Sequence, residues 1–215
     1  GDPDGRPLLH HVLGRDRRRL YDGPQSLTQR LVRFLEYLDR AEPAMHWGDY
    51  LNSGHPRWKL ITASGQSQGA GMSAFIAKEH PLERVILFSA PIDFQKVPGG
   101  YEFASWLTWP SKTPMDRWYA GYNVREPTAN KLASAYQLLG IPDDHIRKFT
   151  LEFTPEQLAR ILPEKVHRRY HGQGIGNPAY KPDWLFFLGV TQAADRHPID
   201  HGAEHSNEDD DENTE

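Results

Sequence analysis

The stretch ITASGQSQGAGMSAFIAKEH, residues Ile61 to His80, constrains the chain more than any other. An apolar run rises into Gly65-Gln66-Ser67-Gln68-Gly69 and continues as small and apolar residues at helical spacing. Residues Arg57 to Ala63 predict a buried strand, Gln68 to His80 a helix, and Arg84 to Ser89 a second buried strand. Strand, helix and strand at that spacing form a βαβ unit, whose strands must run parallel through a right-handed crossover. A serine at so abrupt a bend needs an unusual backbone conformation, which small neighbours permit. Gly65 and Gly69 are expected to let the strand and helix pass closely. Ser67 would then stand at the carboxyl end of the sheet. The Gln68 N–H, opening the helix, would point at any negative charge forming beside it and gain from the helix dipole.

Other glycine-rich turns account for the stretch less well. No Gly-Lys-Ser/Thr follows, which excludes a P-loop. The spacing of Gly65, Gly69 and Gly71 does not match the dinucleotide fingerprint, and no acidic residue ends the core of the next strand. A strand-to-helix turn that binds phosphate through its N–H groups is the simpler competing reading.

The remaining elements fit one α/β domain over 1–190. Leu27, Leu31, Phe34, Leu35 and Leu38 recur at three- and four-residue steps, predicting a helix over Gln25 to Arg40 with Ser26 as its N-cap. Ala41 to Pro56 reads as a loop. Ala90 to Pro114 is irregular and rich in Gly, Pro and Trp. Asp116 to Asn123 predicts a third strand and Thr128 to Leu139 a helix closed by Gly140. Ile146 to Phe153 predicts a fourth strand, Pro155 to Leu162 a short helix and Pro182 to Val190 an aromatic helix. Pro7 to Gly14 is a possible additional strand. Residues 191–215 form a polar acidic tail with nothing to bury, expected to be disordered.

Composition narrows the function classes. The chain has 215 residues, enough for one sizeable core, and a net charge of -4 with much of the acidity between Glu204 and Glu215. The body is near neutral, so it lacks the broad basic face a nucleic-acid binder needs. The basic tract Arg15-Asp16-Arg17-Arg18-Arg19 is short and reads as a solvated local feature. No apolar run approaches the roughly 20 residues of a membrane span. With no cysteine in the chain, disulfides and thiolate metal sites are excluded.

Three further segments, MSAFIAKEH, RVILFSAPIDF and ASWLTWPSKTPMDRWYAGY, complete a resemblance. Together with Gly65 to Gly69, they resemble a largely uncharacterised group of microbial α/β-hydrolases, from about Ser26 to Gly189 and most strongly from Arg57 to Phe94. The resemblance implies a mostly parallel α/β-hydrolase-like sheet with helices on both faces, a serine nucleophile at Ser67 in a Gly-x-Ser-x-Gly elbow, and no cofactor. It names no substrate.

In that superfamily the chain order is serine, acid, histidine. Glu126, in YNVREP, and Asp93, in SAPID, both follow strands. The resemblance and position favour Glu126 as the group that orients the histidine; its simpler role is a helix-start carboxylate before Pro127. The tract KVHRRYH precedes the aromatic terminal helix and holds His167, placed first as general base, and His171, placed second. A surface histidine between arginines is the plain alternative for either. His197, His201 and His205, with Asp195 and Asp200, could share a helical face, but they lie in a polar tail that favours adventitious metal binding over a metal site. Tyr101, Phe103, Trp106 and Trp109 could line an apolar substrate pocket or pack in the core.

Acyl transfer calls for a second oxyanion donor from an early loop. His10-His11 lacks the glycines of the usual pattern. The donor is therefore expected from Gly14 or a neighbour, or from a segment preceding residue 1 in a domain truncated at its N-terminus. These readings lead to hydrolysis of a small ester, or less readily an amide, through an acyl-enzyme on Ser67, with His167, Glu126 and the Gln68 N–H assisting. The rival is a non-catalytic α/β-hydrolase-like domain that binds a ligand or partner.

Overall fold

A computed structural model describes residues 23–190. Helix α1, Leu27–Ala41, begins at the predicted cap, where the Ser26 hydroxyl accepts from the Gln29 N–H at 3.3 Å. Two short 3-10 turns and a minimal hairpin, β1 (Leu51–Asn52) with β2 (His55–Pro56), lead to β3, Thr62–Gln66. Helix α2, Gln68–Glu79, follows after a single residue, and β4 is Arg84–Phe88. The hairpin β5 (Phe94–Val97) and β6 (Gly100–Phe103) occupies the stretch expected to be irregular. Then come β7 (Trp118–Asn123), α3 (Ala129–Leu139) and β8 (Ile146–Phe149). Short helices α4 (Pro155–Leu158), α5 (Val166–Tyr170) and α6 (Gln173–Gly176) lead to α7, Lys181–Leu188.

The central sheet is parallel, in the order β3-β4-β7-β8. In-register pairs such as Gln66 with Phe88 and Phe88 with Gly121 bring the carboxyl ends of neighbouring strands to one edge. Alternation divides the side chains between two faces. Val85, Leu87, Trp118, Ala120 and Tyr122 meet α2 and α3 in the larger core. Ile86, Phe88 and Phe149 meet Phe187 of α7 on the other face. The protein is thus a mixed α/β fold with a mostly parallel sheet between helices, a topology compatible with an α/β-hydrolase-like scaffold. Among the described residues, no helix is long and apolar enough to cross a membrane.

The strand expected over Ile146 to Phe153 ends at Phe149 and the helix expected over Pro155 to Leu162 ends at Leu158, and two expectations for β3 need correction. The strand predicted over Arg57 to Ala63 begins at Thr62, because Trp58–Leu60 forms a 3-10 turn. Nor is that strand buried: Thr62 and Ser64 are exposed, and among the described residues β3 lies at one edge of the sheet. Apolar content marked the segment, but sheet position set its exposure. Pro7 to Gly14 and the acidic tail lie outside the described residues.

Candidate functional site

The serine between β3 and α2 has φ 56° and ψ -124°, off the ordinary helical and extended regions. Its backbone is held on both sides. The Ser67 N–H donates to the Phe88 carbonyl at 2.9 Å, extending the β3–β4 ladder. The Ser67 carbonyl accepts from Ala70 at 3.0 Å and from Gly71 at 3.2 Å, opening the helix. A serine at a helix start ordinarily turns its hydroxyl onto the first-turn N–H groups. Ser67 does not, and makes no side-chain capping bond. Ser67 is half-buried at the carboxyl edge of the sheet, where open α/β sheets place ligands. The Gln68 N–H belongs to the helix-start donors that helical geometry leaves without an internal acceptor.

The two glycines flanking this turn are not equivalent. A Cβ on Gly65 would lie 2.3 Å from the Gly69 carbonyl carbon and 2.5 Å from the Ala70 nitrogen, so the crossing of strand and helix requires glycine there. A Cβ on Gly69 would meet nothing within 4 Å. The close approach expected of both glycines rests on Gly65 alone.

Glu126 lies three residues beyond β7, before α3, and its side chain is fully buried. A buried carboxyl group is costly without hydrogen-bond partners, and this one has three. Its Oε1 accepts from the Ser89 hydroxyl at 2.6 Å and from the Asn123 N–H at 2.9 Å. Its Oε2 faces Nδ1 of His171 at 2.7 Å. Opposite a carboxylate, Nδ1 is the protonated ring nitrogen, which leaves Nε2 as an acceptor. Tyr122 and Tyr136 lie nearby; burial chiefly, and the Glu126 charge in addition, push both phenols above their ordinary range.

The imidazole that meets Glu126 is therefore that of His171, where His167 was expected. His167 is exposed on α5, whereas His171 caps the end of that helix and is bound to the sheet. The His171 carbonyl accepts from Gln66 Nε2 at 3.0 Å and lies 3.1 Å from the Ser89 hydroxyl. Gln66 immediately precedes Ser67, so the chain carrying the imidazole is tied beside the serine. Two residues later, Gln173 accepts from the Asn123 side-chain amide, fixing α6 to the end of β7.

Asp93, the second acid considered, accepts from Trp106 Nε1 at 2.6 Å and anchors the segment after the β5–β6 hairpin. Trp106 is a core residue packed against Phe75. Tyr101 and Phe103 pack edge-to-face with Phe94 in the hairpin, with the Lys131 ammonium 3.9 Å from the Tyr101 ring centroid. Trp109 is exposed. An apolar cavity of about 160 Å³ lies on the opposite face, between the β3–β4 edge and α7. Ile86, Phe88, Ile175, Trp184 and Leu188 help to line it, and Ser67 does not.

No group of three or more metal-ligating side chains occurs among the described residues. His10, His11, Gly14, His197, His201 and His205 lie outside them, as do Asp195 and Asp200. Ser89 and Gln66 had no assigned role in the sequence reading. The available signals were modest: a serine between a buried strand and Ala90-Pro91, and a glutamine inside the glycine–serine motif.

Comparisons with protein-family models, curated proteins and solved structures give no match.

Proposed function

We propose that this protein is an α/β-hydrolase-type serine hydrolase acting on a small ester, with Ser67 as nucleophile, His171 as general base and then acid, and Glu126 as the carboxylate that orients it. The observation that carries the reading is the contact at 2.7 Å between the buried Glu126 carboxylate and the half-buried His171 ring, on a segment bound to the residue before Ser67. A purely structural ion pair does not require that the residue after Gln66 be a serine of unusual backbone conformation that makes no side-chain capping bond.

In this reaction Nε2 of His171 takes the Ser67 proton as Oγ bonds to the carbonyl carbon, and Glu126 stabilises the imidazolium. The Gln68 N–H, at the positive end of α2, stabilises the tetrahedral oxyanion. When the oxyanion collapses, the ester C–O bond breaks and the alcohol leaves with the His171 proton. Water then cleaves the acyl-enzyme by the same steps, returning the acid and free Ser67.

The test is labelling with a fluorophosphonate. Wild-type protein should be labelled on Ser67, and Ser67→Ala should abolish the label together with turnover of p-nitrophenyl butyrate. Equal labelling and turnover in the two proteins would refute the assignment.

A further inference from the structure

The segment that carries His171 has little structure of its own. Helices α5 and α6 have five and four residues, far below the length at which an isolated helix is stable. The preceding stretch from Leu151 is mostly exposed, including Leu158 and Leu162. Yet any chemistry at the imidazole requires its position to be fixed within a fraction of an ångström. The groups that fix it come from the strand ends.

We propose that Gln66 and Ser89 are the positioning residues of this site, Gln66 seating the His171 backbone and Ser89 seating the Glu126 carboxylate. Gln66 ends β3, where strand pairing with Phe88 holds it, and its Nε2 bonds the helix-end carbonyl of His171 at 3.0 Å. That carbonyl is otherwise one of the acceptors a helix leaves unsatisfied at its C-terminus. Ser89 directly follows β4, and its N–H remains in the ladder, donating to Gly121 at 2.9 Å. Its φ of 55° is one that non-glycine residues rarely adopt.

The Ser89 hydroxyl has one proton for two acceptors, Glu126 Oε1 at 2.6 Å and the His171 carbonyl at 3.1 Å. The shorter, charge-assisted bond to the carboxylate takes it. The division of labour follows: the amide of Gln66 satisfies the His171 carbonyl and frees Ser89 for Glu126. One residue at the end of β3 and one just beyond β4 thus each lock half of the acid–imidazole pair. Ser67 and Ser89, both at positive φ, directly follow the paired strand ends Gln66 of β3 and Phe88 of β4.

The kinetic half of this proposal rests on the hydrolase reading, and the spectroscopic half does not. Gln66→Met preserves side-chain length but removes the donor. Ser89→Gly accepts a φ of 55° without strain and removes the hydroxyl. Each variant is measured for p-nitrophenyl butyrate turnover, for thermal unfolding to establish that it is folded, and by proton NMR for the His171 Nδ1–H resonance, assigned by its loss in His171→Gln. Each should lower kcat about tenfold, the usual worth of one such hydrogen bond, while KM stays within about twofold. Each should also shift or broaden the Nδ1–H resonance, which a merely stabilising residue would leave in place. Folded variants with unchanged kcat and an unchanged resonance would overturn the proposal. If wild-type protein neither turns over the ester nor takes the fluorophosphonate, the hydrolase reading fails and the resonance alone decides. Displacement of the resonance in both variants upholds the positioning role, and its persistence refutes it.

Discussion

Replacing Gly65 with alanine should damage the protein through one methyl group. The ideal Cβ falls 2.3 Å from the Gly69 carbonyl carbon, and 2.5 Å from both the Gly69 oxygen and the Ala70 nitrogen. All three are main-chain atoms of the first turn of α2, whereas ordinary contact begins at 3.4 Å. No side-chain rotation relieves such a clash, so the helix must retreat by roughly 1 Å in a core packed as densely as a crystal. Overpacking of this kind costs up to about 3 kcal/mol. A domain of this size loses about 2–4 °C of melting temperature per kcal/mol, so at that upper cost Gly65→Ala should melt about 6–12 °C below wild type. The control is Gly69→Ala, whose methyl group meets nothing within 4 Å and replaces the poorer helix former. It should melt at or slightly above the wild-type temperature. The assay is thermal unfolding of the three proteins in one buffer, followed by circular dichroism. A Gly65→Ala protein melting within about 2 °C of wild type would refute the close crossing, because no packed core absorbs a main-chain clash of that size without loss.

Other outcomes follow from the same geometry. His171→Ala should eliminate ester turnover, while His167→Ala, on an exposed helix position, should retain wild-type kcat; the reverse result would move the base back to His167. Glu126→Gln keeps the shape but cannot hold the same imidazole tautomer, and kcat should fall by about 10⁴-fold. A loss below about tenfold would show that the buried carboxylate is structural. His80, stacked on Trp58 at 4.6 Å, is held below its ordinary value of 6.5 by burial, with Glu79 opposing and Lys112 adding to the effect. The unfolded chain therefore binds the proton more readily, and stability should fall as pH drops below about 6.5 toward the native value. His80→Phe should flatten that part of the urea midpoint–pH curve, and an identical slope in both proteins would exclude His80 as its source.

What could be read from the linear chain was whatever depends on neighbours in sequence. The βαβ unit is a local pattern: apolar runs of strand length, a helical repeat of small residues between them, and Ser67 at the junction. The Ser26 cap, the helix over Ala129–Leu139 and its Gly140 terminus are local in the same way. The family resemblance, together with its place beyond the second strand after Ser67, ranks Glu126 above Asp93. The β5–β6 hairpin escaped notice because Pro98 and the glycines obscured the alternation of two four-residue strands.

Tertiary structure decided the rest, since it turned on contacts between residues 37 to 105 positions apart. His167 and His171 share one short basic tract, and no local rule separates them. It is His171 whose ring meets Glu126 and whose carbonyl accepts from Gln66, contacts made only once strand ends far apart in sequence align. The two glycines around Ser67 look alike in sequence, yet only one sits where a strand crosses a helix at less than a side chain's width. Burial of β3 was misjudged for the same reason: apolar content is a property of the segment, whereas exposure depends on which strands stand beside it.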